Sequence, residues 1–200
     1  MHVLIINAHL TYQGWSEGKL NRACADVAKA FFEERNHQVV ETQVERGYNP
    51  DEEVEKHKKA DLVILQTPVN WFGAPWIYKK YVDEVFNVAL AKKALLEGDG
   101  RTRSDPSRQY GTGGTMYGRK FMICATWNAP RQAFDNPDSF LYGGKGTADL
   151  FLNITSNYKF CGYDILPDFD LFDIFKKDSD IPQGLEAYKT HLARHCTGTL

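Results

Sequence analysis

The sequence predicts an α/β protein in which a parallel sheet is covered by helices on both faces. The first observation is a continuous apolar run at residues 62–65, which is typical of a strand buried on both sides. The second is a similar β-branched run at residues 3–6. The third is the alternation of strand and helix patterns along the chain, which favours parallel strands joined by helical crossovers.

The predicted elements follow one another without a repeat or an internal linker. Apolar residues recur every three or four positions after Gly18, which predicts a helix with one buried face. Residues 38–44 alternate between apolar and polar side chains, as an edge strand does. The other predicted elements are a helix at residues 51–59, a strand at 62–68, a helix from Pro75, a strand at 120–127, a helix at about 147–161, a strand at 164–169 and a helix at about 184–195.

These patterns give a five-stranded parallel sheet. Because the first and third strands are the most apolar, they belong at its centre, which favours the flavodoxin-like order 2-1-3-4-5 with helices on both faces. Two hundred residues are enough for one core. We therefore expect a single domain over residues 1–196 and a disordered tail at residues 197–200.

Composition argues against several classes of protein. The formal net charge of −2 provides no basic surface that would attract nucleic acid or anionic lipid. The four scattered cysteines form no CxxC pair, which favours a reducing, cytoplasmic setting over disulfides or a zinc site. The histidines have no metal-binding spacing, so no metal is expected. No stretch approaches the ~20 apolar residues that cross a bilayer, so we expect no integral membrane segment.

Two aromatic residues follow the most apolar strand, where a ligand would lie. In open α/β sheets, ligands bind beyond the carboxyl ends of the strands. The strand at 62–68 ends in Thr67 and Pro68, and Trp71 and Phe72 come next, beside Gly73. Large flat side chains at this edge suit a large flat ligand, which points to a flavin. The alternative is that they are core aromatics that cap the sheet.

Three glycine-containing segments are candidates for holding a phosphate group. Residues 18–21 follow the first strand and open the first helix, so they would offer free backbone N–H groups, and Ser16 would add a hydroxyl. The alternative there is an ordinary helix start capped by Ser16. The glycines at 111–114 precede a strand and indicate a turn, while those at 143–146 precede a helix and leave both interpretations open. The chain has no Walker motif, and no Rossmann glycine motif follows the first strand.

Several short motifs occur in a characteristic order and spacing along the first two thirds of the chain. They lie at residues 4–7 (LIIN), 16–21 (SEGKLN), 73–76 (GAPW), 79–86 (KKYVDEVF), 99–103 (DGRTR), 110–114 (YGTGG) and 126–130 (TWNAP). With these motifs the chain resembles the modulator of drug activity B family, which are flavoprotein NADPH:quinone oxidoreductases with a flavodoxin-like fold.

The resemblance implies a non-covalent FAD and a homodimer whose two sites lie near the subunit interface. It implies that the loop and helix start around Ser16 and Gly18 hold the pyrophosphate, that the residues after the third and fourth strands flank the isoalloxazine, and that Tyr110 contacts FAD. The candidate cofactor-binding residues are His9, Ser16, Gly18, Lys19, Leu20, Asn21, Pro68, Val69, Asn70, Trp71, Phe72, Tyr110, Thr126, Trp127, Asn128 and Ala129.

The implied reaction has two halves. NADPH delivers hydride to FAD and leaves, and a quinone then takes two electrons at the same face to become a quinol. The expected slot for these flat molecules consists of Trp71, Phe72, Trp127 and Tyr142. Backbone N–H groups at residues 69–71 or 127–129, or the Asn128 amide, would stabilise negative charge on the reduced ring.

The candidate catalytic residues are Asn128 and Tyr142. Tyr142 would take the place of the Tyr and His pair that vertebrate quinone reductases carry near the flavin. The arginines at positions 101, 103 and 108 admit two interpretations. Either their guanidinium groups bind the 2′-phosphate of NADPH through paired hydrogen bonds, or they are charged side chains exposed to solvent.

Two alternative functions fit the same fold. One is an FMN-dependent azo- or nitro-reductase. The other is a flavodoxin-like electron carrier or redox-sensing module, which would need an acidic docking face. The nearly balanced charge argues against such a face, and the long segment at residues 97–118 is more typical of an enzyme.

Overall fold

The computed structural model, which describes residues 1–197, is built around one parallel sheet. Its strands are β1 (His2–Asn7), β2 (Gln38–Gln43), β3 (Leu62–Pro68), β4 (Lys120–Thr126), β5 (Asp164–Ile165) and β6 (Phe169–Leu171). The order is β2-β1-β3-β4-β5, and β6 also pairs with β4. The predicted flavodoxin-like order is confirmed. Residues 198–200 of the predicted tail lie outside the described residues.

Helices cover both faces of the sheet. They are α1 (Lys19–Glu33), α2 (Pro50–Lys59), α3 (Trp76–Ala91), α4 (Thr147–Leu150), α5 (Leu152–Cys161) and α6 (Ile181–Cys196). Successive side chains of a strand point to opposite faces, so β1 sends Val3 and Ile5 to one core and Leu4 and Ile6 to the other. Helices α1 and α6 cover the first core, while α2, α3 and α5 cover the second.

Two short strands occupy the fifth position of the sheet, where the sequence predicts one strand at residues 164–169. Pro167 lies between them and has no N–H to donate to the ladder. The Asp168 carboxylate fills part of the gap, because it accepts a hydrogen bond of 3.1 Å from the backbone N–H of Ile123 in β4. The ladder then resumes at Phe169, so the sheet has six strand segments and not the predicted five.

Two further segments differ in detail from the prediction. The helix expected at residues 147–161 is interrupted at Phe151, whose buried ring packs against Trp127. The segment at 97–118 contains no helix or strand, but a bridge between Leu96 and Gly114 closes it. The Gly114 backbone lies against the Cys161 carbonyl with no room for a Cβ. Gly100 and Gly113 meet backbone atoms as closely, so three glycines of this segment serve close backbone packing, in keeping with the turn that the sequence indicates.

Residues 1–197 contain no helix that is both long enough and apolar enough to cross a bilayer. The same residues contain no group of three or more His, Cys, Asp or Glu side chains arranged to hold a metal ion. All four cysteines are free and buried.

A buried polar cluster connects α2 to α3 on the second face of the sheet. The Glu53 carboxylate accepts hydrogen bonds of 2.9 Å from the hydroxyls of Thr42 and Tyr81. The His57 ring lies between two tyrosines, with Nε2 3.1 Å from the Tyr81 hydroxyl and Nδ1 3.3 Å from the Tyr163 hydroxyl. Burial lowers the pKa of His57 from 6.5 to about 3, so its imidazole is neutral in the folded protein.

This cluster predicts a specific loss of stability in acid. Below pH 6.5 the unfolded chain binds a proton at His57 that the folded chain does not bind until about pH 3. The free energy of unfolding should therefore fall with decreasing pH across this window, by up to about 1.4 kcal/mol per pH unit from this group. In urea titrations at several pH values, His57→Gln should be less stable at pH 7 but should show a flatter dependence below pH 6.5. Parallel curves for the two proteins would contradict the assignment.

Candidate functional site

The loops at the carboxyl ends of β1, β3 and β4 enclose a cavity of about 770 Å³. Its volume lies within the ~300–1,000 Å³ typical of ligand sites. It is lined by His9, Tyr12, Gly14, Trp15, Ser16, Glu17, Gly18, Lys19, Leu20, Asn21, Pro68, Val69, Asn70, Trp71, Phe72, Thr126, Trp127, Asn128, Ala129, Leu141, Tyr142, Ile174 and Phe175. The structure thus brings together both candidate catalytic residues and all the candidate cofactor-binding residues named above except Tyr110.

Helix α1 opens into this cavity with free backbone donors. Within the described chain, the N–H groups of Lys19, Leu20 and Asn21 have no protein acceptor, as is usual for a first helical turn. The residue that precedes the helix is Gly18, whose φ of 73° is left-handed. A Cβ at Gly18 would lie 2.6 Å from atoms of the His9 ring, so only glycine fits here. These N–H groups and the helix dipole suit an anionic group.

Ser16 does not cap α1, contrary to one interpretation of the sequence, because the helix starts after Gly18 without a side-chain cap. Its hydroxyl instead lies 3.3 Å from Nε2 of His9. The other ring nitrogen of His9 is 3.8 Å from the Glu45 carboxylate. Burial lowers the pKa of His9, which the nearby Glu45 charge partly opposes. His9 therefore connects the cavity loop to the segment that follows β2.

A chain of buried amides holds the start of α1 against the sheet. Gln66 of β3 donates a hydrogen bond of 3.0 Å to Oδ1 of Asn21, and Asn21 donates one of 2.6 Å to Oδ1 of Asn7 in β1. Asn7 in turn donates to Glu41 of β2 at 3.2 Å. Both polar ends of the Asn21 side chain are thus engaged with protein atoms. Asn21 offers the cavity a backbone N–H, while its side chain fixes the position of the helix.

Trp71 and Phe72 form the centre of a strained two-residue turn. Asn70 and Gly73 exchange two backbone hydrogen bonds, of 2.8 and 3.3 Å, and the φ angles of Trp71 and Phe72 are 49° and 70°. Positive φ at both central positions defines a type I′ turn, which normally contains Asn-Gly. A bulky residue in this region costs about 1–2 kcal/mol. Both rings nevertheless remain 91% and 50% exposed, so this strain is not offset by burial in the core.

The backbone donors expected to face a flavin ring divide into two groups. The N–H groups of Val69, Asn70 and Trp127 already donate to backbone carbonyls, at 2.7–3.0 Å. In the part of the chain that the structure describes, the N–H groups of Trp71, Phe72, Asn128 and Ala129 have no protein acceptor. Only this second group is available to a ligand.

The Trp127 ring belongs to the core and not to the expected aromatic slot. It is 1% exposed, packs against Phe134 and Phe151, and donates its Nε1–H to Asp170 at 2.6 Å. Burial raises the pKa of Asp170, although its bonds from Trp127 and Thr147 oppose the shift. Trp127 therefore contributes to the cavity chiefly through its backbone, while its ring anchors the loop after β4.

Tyr142 lines the cavity and packs against two other aromatic rings, although it lies in an irregular segment of the chain. Its ring stacks on Phe134 with a centroid distance of 4.6 Å and meets Phe72 edge to face at 6.4 Å. Its hydroxyl has no hydrogen-bond partner within the described residues, and burial raises its pKa. The neighbouring glycines at 143–146, which the sequence left open as a phosphate loop, are absent from the cavity wall.

Tyr110 lies outside the cavity, as do the three arginines for which an NADPH contact was considered. Tyr110 is 68% exposed and packs against Phe160. The Arg101 guanidinium lies over the Tyr110 ring and is paired with Asp99 at 2.5 Å. Within a single chain, this loop lies on the surface and contributes no residue to the cavity wall.

Sequence reasoning missed seven lining residues. Six have a signal in hindsight, because they lie in the loops that directly follow β1 and β6: Tyr12, Gly14, Trp15, Glu17, Ile174 and Phe175. Leu141 lies farther along the chain after β4 and carries no signal beyond its proximity to Tyr142.

Comparison with known proteins agrees with this geometry. The family model for the flavodoxin-like fold matches residues 1–193. The chain belongs to this family. An NADPH:quinone oxidoreductase, MdaB, of Haemophilus influenzae is 36% identical over 194 residues, covering 97% of this chain and 98% of its own length. An uncharacterised protein of Schizosaccharomyces pombe is 36% identical over 192 residues, covering 96% and 95%. The predicted resemblance and the predicted class of enzyme, an oxidoreductase, are confirmed.

Solved structures of the flavodoxin-like fold are similar over the whole chain. A putative quinone reductase from Klebsiella pneumoniae has a TM-score of 0.79 at 20% identity, covering 100% of this chain and 86% of that one. General stress protein 14 of Treponema denticola, solved in complex with FMN, has a TM-score of 0.65 at 16% identity and covers 96% of each chain. An azoreductase from Bacillus anthracis has a TM-score of 0.64 at 12% identity, covering 96% and 99%. These likenesses support the fold.

The strained turn of this flavodoxin-like chain predicts a trade-off between stability and binding. Replacing Trp71 with Asn and Phe72 with Gly would supply the residues that a type I′ turn prefers. The double variant should gain about 1–2 kcal/mol in free energy of unfolding, because the relief of strain at two positions is partly offset by the backbone entropy that a glycine at position 72 loses on folding. Thermal unfolding and flavin titration of the variant would measure both effects.

The same double variant should bind flavin at least tenfold more weakly. Trp76→Ala is a matched control, since that exposed aromatic follows the turn but does not line the cavity. A double variant that is less stable than the wild type and binds flavin normally would contradict the interpretation.

Proposed function

We propose that this protein is an FAD-dependent NAD(P)H:quinone oxidoreductase. The observation that carries the proposal is that the free N-terminus of α1 and the Trp71–Phe72 turn open into one cavity. The first suits a phosphate group and the second a flat ring, and a flavin nucleotide contains both. The 36% identity to an NADPH:quinone oxidoreductase supports this choice of reaction.

The residues present fit a flavin in three respects. The volume of the cavity, about 770 Å³, is adequate for a nucleotide cofactor. Gly18 leaves the helix start open, which allows a phosphate to approach the N–H groups of residues 19–21. The exposed rings of Trp71 and Phe72 provide apolar surface for an isoalloxazine. When bound, the flavin would accept hydride from NADPH and pass two electrons to a quinone.

The chain itself would orient the ring and stabilise charge near it. The N–H groups of Trp71, Phe72, Asn128 and Ala129 are the donors free to face a ring that becomes negative on reduction. The Asn128 side chain is exposed and lines the same wall, so its amide adds a further donor. Val69, Asn70 and Trp127 would instead keep the loops rigid through their own backbone bonds.

Tyr142 is our candidate for the residue that donates a proton to the quinone as it is reduced. A phenol is protonated at neutral pH, and burial raises the pKa of Tyr142 further, so its hydroxyl is available as a hydrogen-bond donor. Its ring meets that of Phe72 edge to face, which places Tyr142 beside the aromatic turn. Quinone and nicotinamide would occupy this face in turn, since the flat groups need the same surface.

The rival on the same fold is an FMN-dependent azo- or nitro-reductase. It is kept because a structural neighbour contains FMN and another is an azoreductase, both at low identity. The electron-carrier alternative is less well supported, because the net charge is −2 and the cavity is large.

Three further properties belong to the proposal. The donor is NADPH, by analogy with the Haemophilus relative. The protein is a homodimer, as the resemblance to the modulator of drug activity B family implies. Its setting is the cytoplasm, in keeping with four free thiols.

The absorption spectrum of the purified protein is the first test. We expect two visible bands, FAD on extraction, bleaching by NADPH without oxygen, and recovery on addition of a benzoquinone. Light scattering should give twice the mass of one chain. Release of FMN, with faster turnover of an azo dye than of a quinone, would favour the rival. A colourless protein that neither FAD nor FMN reconstitutes would overturn the flavin and the function together.

Substitutions at the two candidate catalytic residues should separate binding from chemistry. Asn128→Ala should slow reduction of the flavin by NADPH by about tenfold or more, since one donor to the ring is lost. Tyr142→Phe should lower kcat with a quinone by about tenfold while leaving the flavin affinity unchanged. Stopped-flow measurement of the two half-reactions distinguishes the effects, with Tyr117→Phe as a control on an exposed tyrosine outside the cavity. Wild-type rates in both variants would show that neither Asn128 nor Tyr142 has the proposed role.

A further inference from the structure

One carboxylate holds both ends of the irregular segment that carries Tyr142. This segment covers residues 128–146, because Trp127 comes directly after β4 and Thr147 opens α4. Asp170 of β6 accepts a hydrogen bond of 2.6 Å from Nε1 of Trp127 at its Oδ1 atom. It accepts another, of 2.8 Å, from the Thr147 hydroxyl at its Oδ2 atom. Each oxygen of the carboxylate therefore fixes one end of the segment.

A stack of aromatic rings connects the first of these ends to the cavity. The Trp127 indole meets Phe134 edge to face with a centroid distance of 4.9 Å, and Phe134 stacks on Tyr142 at 4.6 Å. Tyr142 in turn meets Phe72 of the aromatic turn. Because aromatic pairs favour a few relative orientations, the plane of each ring restricts the next. A rotation of the Trp127 indole would therefore pass through Phe134 to Tyr142.

The backbone at the start of the segment is held by a separate set of bonds. The Trp127 N–H donates to a carbonyl of β6 at 2.7 Å. Two N–H groups of the loop after β6 donate to the carbonyls of Trp127 and Ala129, both at 3.2 Å. None of these three bonds uses the Asp170 side chain. Its removal should therefore release the indole while the backbone donors at residues 128 and 129 keep their places.

We propose that Asp170 is a positioning residue for quinone reduction, which acts through Trp127 and Thr147 to hold Tyr142 against the aromatic turn. The inference rests on the proposed function and deepens it, because it names the side chain that orients the proton donor. Asp170 is not among the residues that line the cavity, so it affects the reaction only through the groups that it holds. A reacting group misplaced by about 1 Å slows a reaction by up to about 100-fold, so a support of this kind has a measurable effect.

The test is a double-mutant cycle between Asp170 and Tyr142, measured by stopped flow on the flavin-loaded enzyme with a benzoquinone. In the wild type, Tyr142→Phe should slow the quinone half-reaction about tenfold. In an Asp170→Ala background, where Tyr142 is no longer held, the same substitution should cost less than about twofold. Asp170→Ala alone should slow the quinone half-reaction about five- to tenfold, while flavin reduction by NADPH and the Kd of the flavin change less than about twofold.

Two variants serve as controls. Asp168→Ala removes a carboxylate that is partly buried, as Asp170 is, but that accepts its hydrogen bond from the Ile123 N–H, outside the segment. It should leave the effect of Tyr142→Phe at about tenfold. Asp170→Asn keeps an acceptor for Trp127, and its amide N–H is able to donate to the Thr147 oxygen. In that background Tyr142→Phe should still cost at least about fivefold, which a requirement for the charge itself would not allow.

The outcomes separate this inference from the proposed function. A tenfold effect of Tyr142→Phe in both backgrounds, or an equal loss in both half-reactions of Asp170→Ala, would mean that Asp170 supports only the fold. No effect of Tyr142→Phe in the wild type would also overturn the inference, since no proton donor would remain to be positioned, yet the flavin reductase would stand. A wild-type protein that no flavin reconstitutes would remove the proposed function as well.

A second variant keeps the inference testable if Asp170→Ala does not fold. Thr147→Val removes one of the two hydrogen bonds to Asp170 and keeps the shape of the side chain. In this background the effect of Tyr142→Phe should fall below about fivefold. An unchanged tenfold effect would contradict the role of Asp170.

Discussion

The parallel pairing of β1 with β3 is the constraint on which the candidate site depends. Asn7, the last residue of β1, is in register with Gln66, so the two strands end at nearly the same level. Their loops therefore leave the sheet side by side, about 4.8 Å apart. Since β2 lies on the other side of β1, the chain turns in opposite directions from the two central strands, and a crevice opens between the loops. The α1 N-terminus and the Trp71–Phe72 turn face this crevice for that reason.

The site combines rigid support with local strain. The amides of Gln66, Asn21 and Asn7 connect three structural elements behind the crevice, and all three side chains are buried. In front, two bulky residues adopt left-handed backbone conformations that cost about 1–2 kcal/mol each. Strain of this kind persists where surrounding structure over-determines it, and it is concentrated at functional sites. Here the reciprocal bonds between Asn70 and Gly73 hold the turn.

Local pattern was enough to predict most of the site, but not the roles of its parts. Residues after β1, β3 and β4 were predicted to meet because parallel strands end at one edge, and the structure brings them together. Trp127 was expected to stack on a ligand, yet its indole is turned into the core by Asp170, 43 residues away. The last strand is likewise divided where the Asp168 carboxylate accepts a hydrogen bond from the backbone of β4. Ser16, which the sequence offered as a helix cap, instead lies within hydrogen-bond distance of His9.

The sequence by itself determined the family, the strand order and the edge of the sheet at which a ligand would lie. These follow from apolar runs, helical periodicity and short motifs, which report burial and local backbone preference. Only the tertiary structure decided which N–H groups are free and which aromatic rings are exposed. Such properties are set by partners distant in sequence, because a donor or a ring is available only when no other part of the chain has taken it.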